Sequence, residues 1–552
     1  MPGTMIPGAS WRQIELRAAM ASFEKEKWVE AMNREYRELT DKGTFEPVYF
    51  PVGEQPHICA NKWVLTKKYN ADGKLERFKA RNVIRVFSQV KGENYDETYA
   101  PVASIMPMRL AIALAVIEHM LLFKLDISNA FSQADMNHDL YVSAIEGFPI
   151  RHKPGFIACL RVLKSWYGCK QGPRNWYQLL YSIFTAFSTK NACWKVSDSD
   201  RCCLVFTVNG QIVMRAVTIV DDILFTVKQE HESQYHRFVA YMKTRVHRPD
   251  DVKTWAQPAS FLNLKLTYGD DYIMISQPNF IDKLLQAANM ENCKPISSFN
   301  PTGEMRFKEA DCPTTEDEKA YMSKIDYRKI IGSLLWISLM SRPVLSNIVR
   351  AASSFLNNPG KKHWKYIQMV LRYLKGTREY GIIFRNDGST QMIVDVDADW
   401  AGCRDSRKSI SGWICRLGGG PISYRSATQS IVARSAYESE LTALYMCIGD
   451  LLWLRDILEF YGHKQKATEM HIDNSDVIIR CQELKLTKLN RHIGVRQASC
   501  VETFTAGVYY PIKVPSSENA ADGLTKILKT KDMKKVHKQM MNYDTEKMYH
   551  DM

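Results

Sequence analysis

Ile212-Val213-Met214-Arg215-Ala216-Val217-Thr218-Ile219-Val220-Asp221-Asp222-Ile223-Leu224-Phe225-Thr226-Val227 is strand-like on both sides of two adjacent aspartates. β-Branched and aromatic residues at this density mark strands, yet a carboxylate in such a run costs several kcal/mol unless something compensates it. Asp126 poses the same problem inside the apolar run 122–127. Taken singly, each aspartate is explained by a turn or hairpin. Taken together in a basic chain, they point to divalent metal. Mg²⁺ takes carboxylate oxygens together with substrate phosphates, and a pair of ions stabilises both the attacking and the leaving oxygen of an in-line phosphoryl displacement.

The flanking sequence supplies a frame for these acids. Trp28, Ala31, Met32, Tyr36 and Leu39 fall at helical spacing, which predicts an amphipathic helix over residues 24–39. Residues 60–69 and 77–89 read as two basic strands joined by a turn at Asn70-Ala71-Asp72-Gly73, since Asp-Gly supports positive φ. Residues 108–121 read as a buried helix leading into the Asp126 strand. Beyond about residue 300 the periodicity turns helical (327–337, 344–356, 363–374). From Met392 onward a strand, a turn at Gly418-Gly419-Gly420-Pro421, a helix over 435–458 and a strand over 468–472 succeed one another.

A chain of 552 residues exceeds one hydrophobic core, so several domains are expected. With 74 Lys and Arg against 60 Asp and Glu, the net charge of +14 favours polyanionic partners over acidic ones. Thirteen cysteines without a C-x-x-C pair read as reduced thiols rather than a zinc ribbon or disulfide framework. No apolar run is long enough for a membrane span, and the start lacks a secretory plan, so no membrane partner and an intracellular site of action are expected.

Several blocks resemble the reverse transcriptase of Ty1/copia retrotransposons. Arg77-Phe78-Lys79-Ala80-Arg81 with Tyr95-Asp96-Glu97-Thr98-Tyr99-Ala100-Pro101-Val102 looks like the family's fingers signature, and Leu125-Asp126-Ile127-Ser128-Asn129-Ala130-Phe131 like its first catalytic motif. Trp166-Tyr167-Gly168-Cys169-Lys170-Gln171-Gly172-Pro173-Arg174 is similar to its template and nucleotide motif. Val220-Asp221-Asp222-Ile223-Leu224 resembles the paired-aspartate hairpin, and Phe261-Leu262-Asn263-Leu264-Lys265-Leu266 the primer-grip strand. By that resemblance Asp126, Asp221 and Asp222 are catalytic metal ligands. Lys68 and Arg81 hold the triphosphate, Gly168 belongs to the nucleotide site, and Phe131 stacks beneath the incoming sugar. The chemistry agrees for the basic pair, because Arg offers a bidentate fork and Lys a point charge.

A second carboxylate set follows. Asp397-Ala398-Asp399-Trp400-Ala401-Gly402, Ala436-Tyr437-Glu438-Ser439-Glu440-Leu441, His471-Ile472-Asp473-Asn474-Ser475 and Asn519-Ala520-Ala521-Asp522 resemble the copia RNase H blocks, in order. The resemblance makes Asp397, Glu440, Asp473 and Asp522 catalytic metal ligands. Asp399 and Glu438 are flanking acids; Glu438 and Glu440, two apart on a helix, point to different faces, so one does not replace the other. His492 reads as a surface histidine. Lys526, Lys529, Lys531, Lys534, Lys535 and His537 form a basic tail that could touch a phosphate backbone.

The resemblance implies an α+β and α/β multidomain chain, a right-hand polymerase (fingers, palm, thumb) followed by a helical connection and an RNase H-like mixed sheet. The expected division is an N-terminal extension (1–22), fingers and palm (23–270), a mainly helical thumb and connection (271–390), the RNase H-like domain (391–527) and a basic tail (528–552). It implies two Mg²⁺ per active site, with Mn²⁺ as substitute. The implied partners are RNA template, DNA primer, RNA–DNA hybrid and dNTPs, with integrase and capsid of the same element. The implied location is a cytoplasmic particle or the nucleus. The rival expectation is a degenerate or domesticated remnant that binds nucleic acid without turnover.

Overall fold

The structure, a computed structural model, describes residues 15–54, 56–69, 75–482, 491–529 and 533–544. Most of the expected N-terminal extension, the Asn70-to-Gly73 turn and Lys531 lie outside the described residues.

The two basic strands are Asn61–Tyr69 and Leu75–Ile84, paired antiparallel with Lys68 opposite Arg77 and Val64 opposite Arg81. The helix Lys25–Asp41 covers them, burying Trp28, Ala31, Met32, Glu35 and Leu39. Four of these five form the apolar stripe read from the sequence. Glu35 is the acid set among them.

The aspartates sit in a seven-stranded antiparallel sheet. Its order is Val252–Ala256, Leu121–Ile127, Asp222–Val227, Gln211–Ile219, Cys203–Val208, Ala192–Val196 and Ser188–Thr189. The helices Gly172–Ala186 and Glu232–Lys243 pack on one face through Trp176, Phe184, Tyr235 and Phe238. The other face receives Ile105–Ile117, in which every residue from Pro107 to Val116 is buried. A helix apolar all round must be covered all round. Accordingly it also touches the strands Tyr272–Ser276, Gly381–Arg385 and Gly420–Thr428.

Those contacts fuse the middle and the end of the chain. A four-stranded sheet runs Ser260–Phe261, Leu264–Tyr268, Tyr272–Ser276 and Gly381–Arg385, so residues 277–380 are a helical insertion between two neighbouring strands. A five-stranded sheet follows in the order Gly420–Thr428, Ile410–Leu417, Ile393–Asp399, Thr468–Ile472, Tyr509–Lys513. Its first two pairings are antiparallel and its last two parallel. The helix Ala436–Phe460 packs on it. One cluster of buried apolar side chains draws members from Met108 through to Tyr543. Arg109, wholly buried, bolts the junction: it donates to Met340 O (3.1 Å) and to Tyr424 Oη (2.9 Å). Arg215 does the same nearby, gripping both oxygens of Glu118 (2.8 and 2.9 Å) and Tyr461 O (3.0 Å).

The expected α+β and α/β multidomain architecture holds, with two local corrections. The primer-grip segment is not one strand. Leu262 and Asn263 both have positive φ (50° and 62°) and form a two-residue turn between Phe261 and Leu264. Asn tolerates that conformation, and tight hairpins demand it at both central positions. The C-terminal charge run is not solvated throughout either. Met533–Met541 is an amphipathic helix that buries Met533, Val536, His537, Met540 and Met541. His537 Nε2 lies 2.5 Å from Tyr373 Oη, and burial, with Arg342 nearby, drops its imidazole to about 3. His537 is therefore neutral core; Lys534 and Lys535 stay at the surface.

Candidate active sites

The strand register brings the first acids together. Asp126 stands directly opposite Asp222, and Ile127 N donates to Asp221 O (3.0 Å). The turn between the paired strands is Val220-Asp221, with Val220 at φ 59°. A β-branched residue there is an outlier costing about 1–3 kcal/mol, held only because its surroundings over-determine it. Trp176 does the holding, donating from Nε1 to Val220 O (2.7 Å).

Desolvation, then the charge of Asp222, raises the carboxyls of both Asp126 and Asp221 above the ordinary aspartate range. Lys124, two residues before Asp126 and so on the same strand face, places Nζ 2.8 Å from Asp222. Lys68 feels Asp126 across the gap, and its ammonium is shifted down by burial and by Arg77 and Arg81. Arg81 lies over the Tyr167 ring (4.7 Å to the centroid). Tyr167 also meets Phe131 edge-on (5.9 Å) and donates to Asn129 Oδ1 (3.1 Å). All the acids, cations and rings expected here thus border one region.

Gly168 has a structural task in that region. It adopts φ +90°, and a Cβ on it would lie 2.1 Å from Ile84 O, where the loop crosses the end of the basic hairpin. Gly168→Ala is expected to cost about 3 kcal/mol or more through overpacking and backbone strain, read as a lower denaturant midpoint.

Glu35 was missed in the sequence, although a lone acid on an apolar helix stripe was visible. Burial, reinforced by Glu38, lifts it from its ordinary 4.5 to about 7, and burial with Arg81 drops Lys79 to about 7. The folded state then binds an extra proton at Glu35 between about pH 4.5 and 7, so that contribution to stability falls as pH rises through this window. Glu35→Gln is expected to flatten the fall and to stabilise the protein at pH 7–8 by a few kcal/mol at most, at roughly 1.4 kcal/mol per pKa unit. Unfolding midpoints at stepped pH check it.

The second site lies on the mixed sheet. Asp397 is on the strand Ile393–Asp399, Glu440 in the first turns of Ala436–Phe460, and Asp473 just past Thr468–Ile472. One potential ligand atom from each of these three lies within 4.8 Å of the others, the tightest such carboxylate, His or Cys grouping among the described residues. Burial raises Asp397 to about 6 and pushes Glu440 well above its usual range, the neighbouring acids adding to both. Glu440 Oε2 is buried without a hydrogen-bond partner. An orphaned carboxyl oxygen beside two more carboxylates, with Asp397 and Glu440 disfavoured as anions without a counter-charge, fits a cation. Asp126, Asp221 and Asp222 do not form so tight a set.

Asp522 stands outside the set of three, its carboxylate bonded to Lys526 Nζ, which is also 3.9 Å from Asp397 Oδ2. Thr525 Oγ1 donates to Asp397. The sequence reading placed Lys526 in the tail and passed over Thr525; both border the acids. Glu438 turns away, accepting from Arg434 N (2.7 Å) and lying 3.3 Å from His492 Nε2. Asp395, unremarked in the sequence, is fully buried behind Asp397 and held down in pKa by His471 and Arg416. It accepts from Ala520 N (3.3 Å), while Asn519 Nδ2 donates to Val396 O (2.7 Å), so strand and Asp522 loop are tied.

Residues 42–301 match the family described as reverse transcriptase (RNA-dependent DNA polymerase). The chain is 32% identical over 518 residues to the retrovirus-related Pol polyprotein from transposon TNT 1-94 of Nicotiana tabacum, covering 93% of this chain and 38% of that protein. It is 29% identical to the Pol polyprotein from transposon RE1 of Arabidopsis thaliana, covering 94% of this chain and 34% of the relative. It therefore spans little more than a third of their length. Among solved structures, a foamy viral protease-reverse transcriptase in complex with double-stranded DNA aligns over 93% of this chain and 73% of its own, at 11% identity and a TM-score of 0.24.

Proposed function

This chain is a relative of copia-type Pol polyproteins, and on that premise we propose that it is an RNA- and DNA-dependent DNA polymerase joined to a ribonuclease H. The observation that carries the reading is the pair of separate carboxylate centres, each built where an unpaired acid would be costly, on two different sheets. Polymerase and nuclease fall to residues 23–270 and 391–527 respectively. The whole acts inside the cell, in a cytoplasmic particle or the nucleus, alongside the integrase and capsid of its element.

Asp126, Asp221 and Asp222 would hold the ions of the first centre; Asp397, Glu440 and Asp473 would hold those of the second, with Asp522, bonded to Lys526, the fourth acid that the resemblance implies. When bound, two Mg²⁺ ions (or Mn²⁺) per centre supply Lewis-acid stabilisation of the in-line displacement and, for hydrolysis, an activated water. The other residues position. Lys68 and Arg81 neutralise the dNTP triphosphate, with Arg81 held over the Tyr167 ring. Phe131 lies beneath the sugar and rejects a 2′-hydroxyl by its bulk. In the nuclease centre Thr525 orients Asp397, and Lys526 offsets the acids' mutual repulsion.

The test is extension of oligo-dT on poly-rA and cleavage of the RNA in an RNA–DNA hybrid, each with Mg²⁺ and with chelator. Metal-dependent product in both supports the proposal. Nucleic-acid binding without either product would overturn it in favour of a non-catalytic remnant.

A further inference from the structure

A cavity of about 1440 Å³ lies between the helical insertion and the nuclease sheet, beside the second carboxylate centre. Its walls are the segment around Arg306, the helix carrying Arg350, the loop 400–408 and residues 525–529. Seven cationic side chains line it against three carboxylates, Glu309, Asp399 and Asp405. Arg350 is fixed at the wall by Thr428 Oγ1 (2.7 Å) and Asn347 Oδ1 (2.8 Å). Arg404, Arg407 and Lys408 have no ion-pair partner among the described residues, and Trp400 is half exposed in the same wall. Glu309 N donates to Asp405 Oδ2 (2.9 Å), joining insertion and loop at the rim.

We propose that this cavity receives single-stranded RNA continuing from the strand being cleaved; the inference rests on the ribonuclease H reading of the adjoining acids. Unpaired cations on a groove with an accessible aromatic ring are what a single strand requires, since phosphates need the charge and a base needs a flat face. The volume exceeds the roughly 300–1,000 Å³ of small-molecule sites and suits a few nucleotides of one strand, not a duplex. Contiguity selects the strand. Thr525 and Lys526 belong both to the cavity wall and to the acid cluster, so a strand whose phosphate sits at Asp397 enters the cavity within a nucleotide or so. The cavity needs the insertion, so the sheet domain alone does not possess it.

The experiment compares binding, in EDTA, of fluorescein-labelled RNA–DNA hybrids that are blunt, carry an RNA overhang or carry a DNA overhang. It uses the full chain and its Arg404→Glu/Arg407→Glu variant, with Lys190→Glu, an exposed residue on the distant sheet edge, as the charge control. The RNA overhang is expected to tighten binding to the unaltered chain, and the double variant to lose about tenfold on that hybrid alone, with a shallower salt dependence. A thiouridine in the overhang is expected to photocrosslink to residues 400–408. Equal loss on the blunt hybrid would overturn the single-strand assignment, equal benefit from a DNA overhang the RNA assignment, and crosslinks only elsewhere the site itself. Cleavage, assayed separately with Mg²⁺, reports on the nuclease reading: overhang binding without cleavage would sink that reading and leave the groove standing.

Discussion

Asp221→Asn is expected to reduce DNA synthesis on poly-rA by on the order of a thousandfold, leaving cleavage of RNA in a hybrid within about twofold of the unaltered chain. The size follows from several kcal/mol of transition-state charge stabilisation riding on the metals, at about 1.4 kcal/mol per tenfold. The selectivity follows from geometry. Asp221 lies on a turn anchored by Trp176, from the helix packed on the antiparallel sheet, and by Ile127 of that sheet, whereas the nuclease acids lie on the mixed sheet. The side chain keeps solvent access at the turn tip although its surroundings partly desolvate the carboxyl, so the amide should be accommodated without repacking. Loss of both activities with an unchanged unfolding midpoint would refute two independent centres.

Legibility in the sequence tracked how local the cause was. Strand alternation, the helix stripe over Trp28 to Leu39 and the isolation of Asp126 and Asp221-Asp222 in apolar runs are local, and each was readable. The Leu262-Asn263 turn was not, because Leu there argues for continued strand and only Asn263 hints at positive φ. The His537 side chain was misread for another reason. Lysines at helical spacing dominate the segment, and the methionines that bury its other face pair with residues as far away as Tyr373. Arg109 and Arg215 were illegible as well: a buried guanidinium bonded to backbone carbonyls of distant segments leaves no trace in its own neighbours. At the nuclease centre the resemblance supplied four acids. The geometry groups three, and Asp522 is bonded instead to Lys526 four residues on, a helical spacing that was present but read as part of the basic tail.

Asp473→Asn is expected to suppress Mg²⁺-dependent cleavage of the hybrid by on the order of a thousandfold while sparing primer extension. Asp473 is the most accessible of the clustered acids, at the end of a strand where Asn is tolerated, and Ser516 Oγ can still bond the amide. Its removal also takes one charge from beside Glu440 and Asp397, whose carboxyls are raised in part by Asp473. Two consequences oppose each other and so separate ligand from scaffold. If Asp473 holds a metal, the variant binds Mn²⁺ more weakly, which calorimetry on the inactive protein reads directly. If its only effect is repulsion, the metal-free variant becomes more stable with Mn²⁺ affinity unchanged. The first result is expected together with the second's gain in metal-free stability, because three acids within 4.8 Å repel when no cation is bound. Unchanged Mn²⁺ affinity with full cleavage would remove Asp473 from the site, and with it the tightest grouping on which the nuclease assignment stands.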